Sequence, residues 1–184
     1  MKKKALVILA QGFEEIEAVT PIDTLRRAEV EVTVAGVGGE TVTGSRGLTI
    51  KPDIRIEECD SDFDAVILPG GLPGAENLAS SLEVKQIVTK MHEAGKIIAA
   101  ICASPALVLA PAGILDGRQA TCYPGLDKNF SAVVKHSKED VIQDGNIITS
   151  RGPATAMKFS RKIAENLVGK TKSDMIASQM LSGE

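Results

Sequence analysis

The chain has 184 residues, an apolar content of 43% and a formal net charge of −3, which are ordinary values for one globular domain. This charge provides no basic footprint for nucleic acid or for an anionic membrane surface. One tyrosine, four phenylalanines and no tryptophan exclude an aromatic platform on which bases would stack. No apolar run approaches the roughly 18 residues of a membrane span.

The three cysteines, Cys59, Cys102 and Cys122, are odd in number and widely spaced. This pattern predicts neither a disulfide framework nor a zinc site. The apolar stretch 5–10 is too short for the hydrophobic core of a secretory signal. We therefore expect a cytoplasmic protein with reduced thiols, and we predict no metal, no organic cofactor, no nucleic-acid partner and no membrane association.

Four apolar runs are continuous, which is typical of parallel strands covered on both faces. Between them, helical spacing predicts one helix over 14–28, where Pro21 is expected to cause a kink or a restart, and another over 82–94, ended by Gly95. The alternation predicts an α/β fold with a mostly parallel, doubly wound sheet and helices on both faces. The four runs are 5–10, 32–36, 64–71 and 96–102.

Three later features complete the predicted fold. The stretch 36–56 indicates a hairpin or meander with glycine turns, and Asp144-Gly145 predicts an added two-residue β-hairpin within 139–150. The stretch 153–169 predicts a helix that begins near a proline and ends at a glycine. No linker or repeat interrupts the chain, so we expect a single domain over residues 1–184.

Cys102 stands at the carboxyl end of the fourth run, and this is the edge where parallel sheets bind ligands. Its neighbours two positions away, Ala100 and Ser104, are small enough for the sharp strand-to-helix turn that presents a nucleophile. A helix expected from near Pro105 would favour the thiolate through its N-terminus. Burial as a small apolar side chain is the alternative for Cys102, and it is our interpretation of the other two cysteines.

A glycine-rich loop, 68–78, follows another predicted strand. The backbone N–H groups of Gly70 and Gly71, together with that of Ala103, are candidates for an oxyanion hole beside the cysteine. A phosphate-binding loop is the alternative, but no Walker lysine follows and the glycine spacing is not G-x-G-x-x-G.

Three glutamates open the first predicted helix. Glu14 and Glu15 are explained by the favourable interaction of carboxylates with a helix N-terminus. Glu17 is expected to tilt toward the edge of the sheet, where burial would raise its pKa and allow it to donate a hydrogen bond to a thiolate.

Four motifs thus occur in order: GFEEIE (12–17), LPGG (68–71), AAICASPA (99–106) and TSRGPAT (149–155). In this combination the sequence resembles the ThiJ/PfpI superfamily, and specifically its DJ-1-like branch, from about Lys4 to Gly169. The resemblance implies a flavodoxin-like α/β sandwich that forms a homodimer.

The resemblance also implies roles for individual residues. Cys102 would be the reactive nucleophile and Glu17 the protonated carboxyl group that hydrogen-bonds its sulfur, while Gly71 and Ala103 would supply backbone donors. The implied pocket or dimer-side residues are Arg46, which would approach the site from the partner chain, Arg151 near the pocket, and Pro153 at its border.

The sequence departs from the family pattern at two positions. Protease-like members have a histidine directly after the cysteine, where this chain has Ala103, and many DJ-1-like members have a histidine where this chain has Tyr123. A tyrosine can donate a hydrogen bond, but its pKa near 10 makes it a poor base at neutral pH. We expect His92 and His136 to be surface residues, so a hydrolase triad would lack its base.

The expected function is cysteine-dependent processing of small reactive aldehydes or glycated substrates, of the cofactor-independent glyoxalase or deglycase type, in stress defence. The alternative is a redox-sensing, chaperone-like stress protein whose Cys102 oxidises to a sulfinate without dedicated catalysis. A peptidase or a thiazole-biosynthesis protein is less favoured, because the sequence offers neither a triad base nor a motif for phosphate-ester chemistry.

Overall fold

The structure is a computed structural model and describes residues 2–60 and 62–182. Continuous apolar runs form its longest strands, and their side chains are buried along almost their whole length. In chain order the strands are β1 (Lys4–Ala10), β2 (Glu31–Val37), β3 (Val42–Thr43), β4 (Thr49–Ile50), β5 (Ile54–Arg55), β6 (Ala65–Leu68), β7 (Ile97–Ile101), β8 (Gln119–Ala120), β9 (Lys135–His136), β10 (Val141–Asp144) and β11 (Ile147–Ser150).

Seven of these strands form a central sheet in the order β10-β11-β7-β6-β1-β2-β5. Every neighbouring pair in it is parallel except β10 and β11, which form the predicted hairpin. The turn of that hairpin lies one residue later than predicted, because Asp144 pairs with Ile147 and leaves Gly145 and Asn146 as the loop. The predicted meander becomes the small β3–β4 sheet followed by β5 at the edge of the main sheet.

Five α-helices cover the sheet in the described part of the chain. Residues of α1, α4 and α5 share one apolar cluster with Ala5, Val7 and Leu9 of β1, whereas α2 and α3 pack with Leu6 and Ile8 on the opposite face. This alternation along β1 shows that both faces of the sheet are covered, and the fold is the expected flavodoxin-like α/β sandwich. The helices are α1 (Glu15–Arg27), α2 (Gly74–Ser80), α3 (Leu82–Glu93), α4 (Ala156–Val168) and α5 (Lys170–Gln179).

Several local predictions differ from the structure. α1 is one helix with Pro21 inside it, so the expected restart does not occur. The segment Pro105–Leu109 after β7 is a short π-helix and not an ordinary α-helix. The predicted helix over 153–169 begins with a 3-10 turn at Pro153–Thr155 before α4. The sequence does not predict α2, because this helix begins within the glycine-rich loop, or α5, because the apolar pattern of that helix is weak.

The strand order identifies the edge of the sheet where a ligand would bind. From β1 the chain first adds β2 on one side and later adds β6 on the other side, so the strand order switches at β1. Ligands bind at such a switch point, beyond the carboxyl ends of the strands. The segments that follow β1, β6 and β7 carry Glu17, Gly70 and Cys102, so the topology itself brings these three residues to one edge.

Candidate active site

The turn after β7 holds Cys102 in a backbone conformation that non-glycine residues rarely adopt, with φ +65°. Its N–H donates to the carbonyl of Ser150 (2.9 Å), and its own carbonyl accepts from the N–H of Tyr123 (2.8 Å). Such strained residues persist only where surrounding contacts fix them, and they cluster at functional sites. The two bonds fix the sulfur at the edge of the sheet, as the predicted nucleophile turn requires.

Glu17 lies in the first turn of α1 and is completely buried. Its Oε2 accepts from the N–H of Gly70 (2.8 Å), while no partner among the described residues hydrogen-bonds Oε1. Burial raises the pKa of this carboxyl group to about 7, and the hydrogen bonds from Gly70 and Cys102 oppose that rise. Glu17 therefore exchanges a proton near neutral pH, in agreement with the raised pKa predicted from the sequence.

Gly70 is the point at which the three segments meet. A Cβ atom there would lie 2.7 Å from Cβ of Cys102, 2.8 Å from Oε2 of Glu17 and 2.9 Å from the backbone nitrogen of Ala103. All three separations are shorter than van der Waals contact allows, so a side chain would force the segments apart. The absence of a side chain lets the carboxyl group and the thiol approach each other.

The sulfur of Cys102 interacts with the backbone N–H groups of Gly71 and Ala103, the two donors expected from the resemblance. These bonds lower the pKa of the thiol, but burial raises it more, and the charge of ionised Glu17 raises it further. The expected lowering of this pKa by a helix N-terminus is therefore wrong. The helix is a single π-turn, and the thiol is only 9% exposed.

The glutamates before Glu17 have separate structural tasks. Glu14 caps α1, because its Oε2 accepts from the N–H of Glu17 (2.8 Å). Glu15 accepts from the N–H of Arg46 (2.6 Å), and the hydroxyl of Ser45 and the N–H of Leu48 also donate to it. Burial raises the pKa of Glu15, but the hydrogen bonds from these donors together outweigh it, so the pKa lies below its ordinary value. The task of Glu15 was missed, since nothing in its local sequence indicates a partner thirty residues away.

The predicted pocket or dimer-side residues lie in two different parts of the chain's surface. Tyr123 is half-exposed and bonded through its backbone to Cys102, and a Cβ at Gly152 would lie 3.5 Å from its ring. Arg151 and Pro153 flank that glycine in the chain, so their backbones lie close to the same ring. Arg46 is exposed on the turn between β3 and β4, where its N–H donates to Glu15.

The remaining cysteines and histidines lie outside this arrangement. Cys122 is buried as predicted, whereas Cys59 is only half-buried, which differs from the prediction. Burial raises the pKa of Cys59 to about 11 and that of Cys122 to about 12, so neither thiol is activated. His136 is exposed, as expected, and its Nδ1 lies 3.8 Å from Oδ2 of Asp127. His92 differs from expectation: it is half-buried at the end of α3, and its Nδ1 has no partner among the described residues.

Residues 2–60 and 62–182 contain no group of three or more histidine, cysteine or acidic side chains placed to hold a metal ion. None of their helices has both the length and the apolar character needed to cross a bilayer.

Known proteins resemble this chain over almost its whole length. The model of the DJ-1/PfpI family matches residues 3–166. Drosophila melanogaster protein dj-1beta is 46% identical over 98% of both chains, and the glutathione-independent glyoxalase DJR-1.2 of Caenorhabditis elegans is 34% identical over 95% of this chain and 94% of its own. The solved structure of oxidized Toxoplasma gondii DJ-1 superposes with a TM-score of 0.95 at 41% identity, covering 99% of this chain and 100% of that one. The chain belongs to the DJ-1/PfpI family.

Proposed function

We propose that the protein converts small 2-oxoaldehydes such as methylglyoxal to 2-hydroxy acids by covalent catalysis at Cys102. The observation that carries the proposal is the junction at Gly70, where a buried carboxyl group of pKa about 7 adjoins a thiol that also contacts two backbone donors. A relative with 34% identity is named a glutathione-independent glyoxalase, which supports the same chemistry.

The first step depends on where the shared proton resides. When Glu17 holds the proton, its negative charge no longer raises the pKa of Cys102, and the carboxyl group can donate to the sulfur. The thiolate then adds to the aldehyde carbon, and the aldehyde oxygen takes the proton from Glu17. The product is a hemithioacetal, whose oxygen lies within reach of the N–H groups of Gly71 and Ala103.

The carboxylate left on Glu17 then acts as the base. It removes the proton from the former aldehyde carbon, giving an enediolate, and returns that proton to the neighbouring carbon, while the hydroxyl proton moves between the two oxygens. The result is a 2-hydroxyacyl thioester of Cys102. Water attacks its carbonyl and gives a proton to the Glu17 carboxylate, the carbon–sulfur bond breaks, and the hydroxy acid leaves as the thiolate and the protonated Glu17 are restored. No electrons are gained or lost overall.

The proposal is tested by measuring lactate formed from methylglyoxal. We expect Cys102→Ser to abolish turnover and Glu17→Gln to lower kcat by roughly 10²- to 10⁴-fold, the usual contribution of a general acid–base group. Cys59→Ser is the matched control, because it removes another thiol that lies outside the junction, and it should retain turnover. Undiminished lactate production by the Cys102 variant would disprove the scheme.

The raised pKa of Glu17 has a separate consequence for stability. Folding favours the protonated carboxyl group, so this contribution is complete below its ordinary pKa of 4.5 and is lost as the pH rises through about 7. Relative to Glu17→Gln, the free energy of unfolding of the wild type should fall across this window by up to about 3 kcal/mol. Urea denaturation at several pH values measures the difference, and a pH-independent difference would contradict the buried-acid assignment.

Oxidation of the same sulfur is the second candidate function, favoured because the Toxoplasma gondii relative was solved as an oxidized protein. One equivalent of peroxide would convert the thiolate to a sulfenate and release water, and a second would give the sulfinate. Peptide mass mapping after mild peroxide treatment should then find two added oxygens on Cys102 and none on Cys122. Oxidation of both cysteines alike, or of neither, would argue against a sensor.

We also propose that two copies associate through the exposed apolar side chains of α1 and the β3–β4 turn. Ile16 and Val19 lie three residues apart on one face of α1, each roughly half-exposed, and Leu48 is held beside them by the bond of its N–H to Glu15. Pairing of this face would place Arg46 of one copy near the site of the other, as the family resemblance implies.

Substitution at this face tests the association. Val19→Glu should produce a monomer in sedimentation velocity experiments, because it places a charge within the apolar contact. Leu82→Glu is the matched control: Leu82 is similarly exposed, but it lies on α3 across the sheet. The proposal fails if the wild type sediments as a monomer or if both variants behave alike.

A further inference from the structure

Ser104 lies two residues after Cys102 and is completely buried. Its hydroxyl donates to the carbonyl of Pro69 at 2.5 Å, so it joins the turn after β7 to the loop after β6. Small size alone explains why a serine is tolerated here, but it does not explain this bond. A buried hydroxyl bonded across two segments fixes their relative position.

The two segments joined by Ser104 carry the donors of the candidate site. Pro69 directly precedes Gly70 and Gly71, whose N–H groups reach Glu17 and the sulfur of Cys102 respectively. Ser104 directly follows Ala103, whose N–H is the second donor to the same sulfur. The hydroxyl therefore connects positions that lie within two residues of every backbone donor in the site.

The loop after β6 needs such an anchor. Gly70 and Gly71 restrict the backbone less than other residues do, and Pro69 has no N–H with which to anchor itself. On one side the carbonyl of Gly70 accepts from the N–H of Glu14 (3.0 Å). On the other side the Ser104 bond holds the carbonyl of Pro69, so the loop is fixed to both α1 and the cysteine turn.

We propose that Ser104 is a positioning residue of the active site, which sets the separation of the Gly71 and Ala103 N–H groups so that both bind one atom. That atom is the sulfur in the resting protein and the oxyanion in the proposed reaction. The effect on the oxyanion rests on the proposed function, whereas the effect on the sulfur can be measured without turnover.

The experiment compares Ser104→Ala with the wild type by two readouts. The first is the pH dependence of Cys102 alkylation by iodoacetamide, followed on the Cys102 peptide by mass spectrometry. The midpoint should move up by roughly 0.5–1 pH unit, because weaker donors stabilise the thiolate less. The second is lactate production from methylglyoxal, where kcat should fall about tenfold with KM changed less than about twofold, since the donors act mainly on the transition state.

Ser173→Ala is the matched control. Ser173 is also buried and donates to a backbone carbonyl of another element, that of Arg161 (3.0 Å), but it joins α5 to α4. Both variants should melt at a lower temperature than the wild type, whereas only Ser104→Ala should shift the alkylation midpoint. Should Ser104→Ala prove insoluble, Ser104→Gly, which also lacks the hydroxyl, is judged by the same readouts.

An unchanged alkylation midpoint in folded Ser104→Ala, or an equal shift in Ser173→Ala, would overturn the inference. Failure of the proposed function gives a different result: the wild type and the Cys102→Ser variant would then produce lactate at the same rate or not at all. The alkylation profile would still decide the role of Ser104 in that case.

Discussion

The burial of one carboxyl group against one thiol is the constraint on which the rest of the site depends. Removing Glu17 from water makes its ionised form costly, so its proton is retained to about neutral pH. The same burial opposes ionisation of Cys102. Two acids that both resist ionisation, placed side by side, exchange one proton between them, and this exchange is what the proposed chemistry requires.

Burial of this kind costs folding free energy, and the surrounding structure has to supply it. The unusual backbone of Cys102 is held by bonds from β11 and from the segment that carries Tyr123. The loop after β6 is held between the N–H of Glu14 and the hydroxyl of Ser104. Each contact comes from a different segment, so the site exists only when the sheet and its covering helices are complete.

Much of the fold could be predicted because its signals are local. Continuous apolar runs identified the parallel strands, and the small residues around Cys102 identified the turn that follows β7. The burial of Glu17 was also predictable, because it stands between the apolar Ile16 and the small Ala18 at the start of a helix. α5 could not be predicted in this way, because its helical pattern is weak and its stability comes from packing against α1 and α4.

The properties of the site that escaped prediction depend on distances between segments far apart in the sequence. The bond from Ser104 to Pro69 spans 35 residues and the bonds to Glu15 span about thirty, so neither has a local signature. The direction in which the pKa of Cys102 shifts is a similar case. A turn before a helix predicts a thiolate, but the outcome is set by burial and by Glu17, which is 85 positions away in the chain.

The limited exposure of the sulfur also restricts what can react with it. Cys102 is only 9% exposed, which leaves room for a compact electrophile but little for a peptide bond within a folded polypeptide. The residue after the cysteine is Ala103, so no adjacent imidazole would protonate an amine leaving group. An aldehyde needs neither wide access nor such a leaving-group acid. Limited access to the sulfur and the residue that follows it are thus both consistent with the proposed 2-oxoaldehyde substrate.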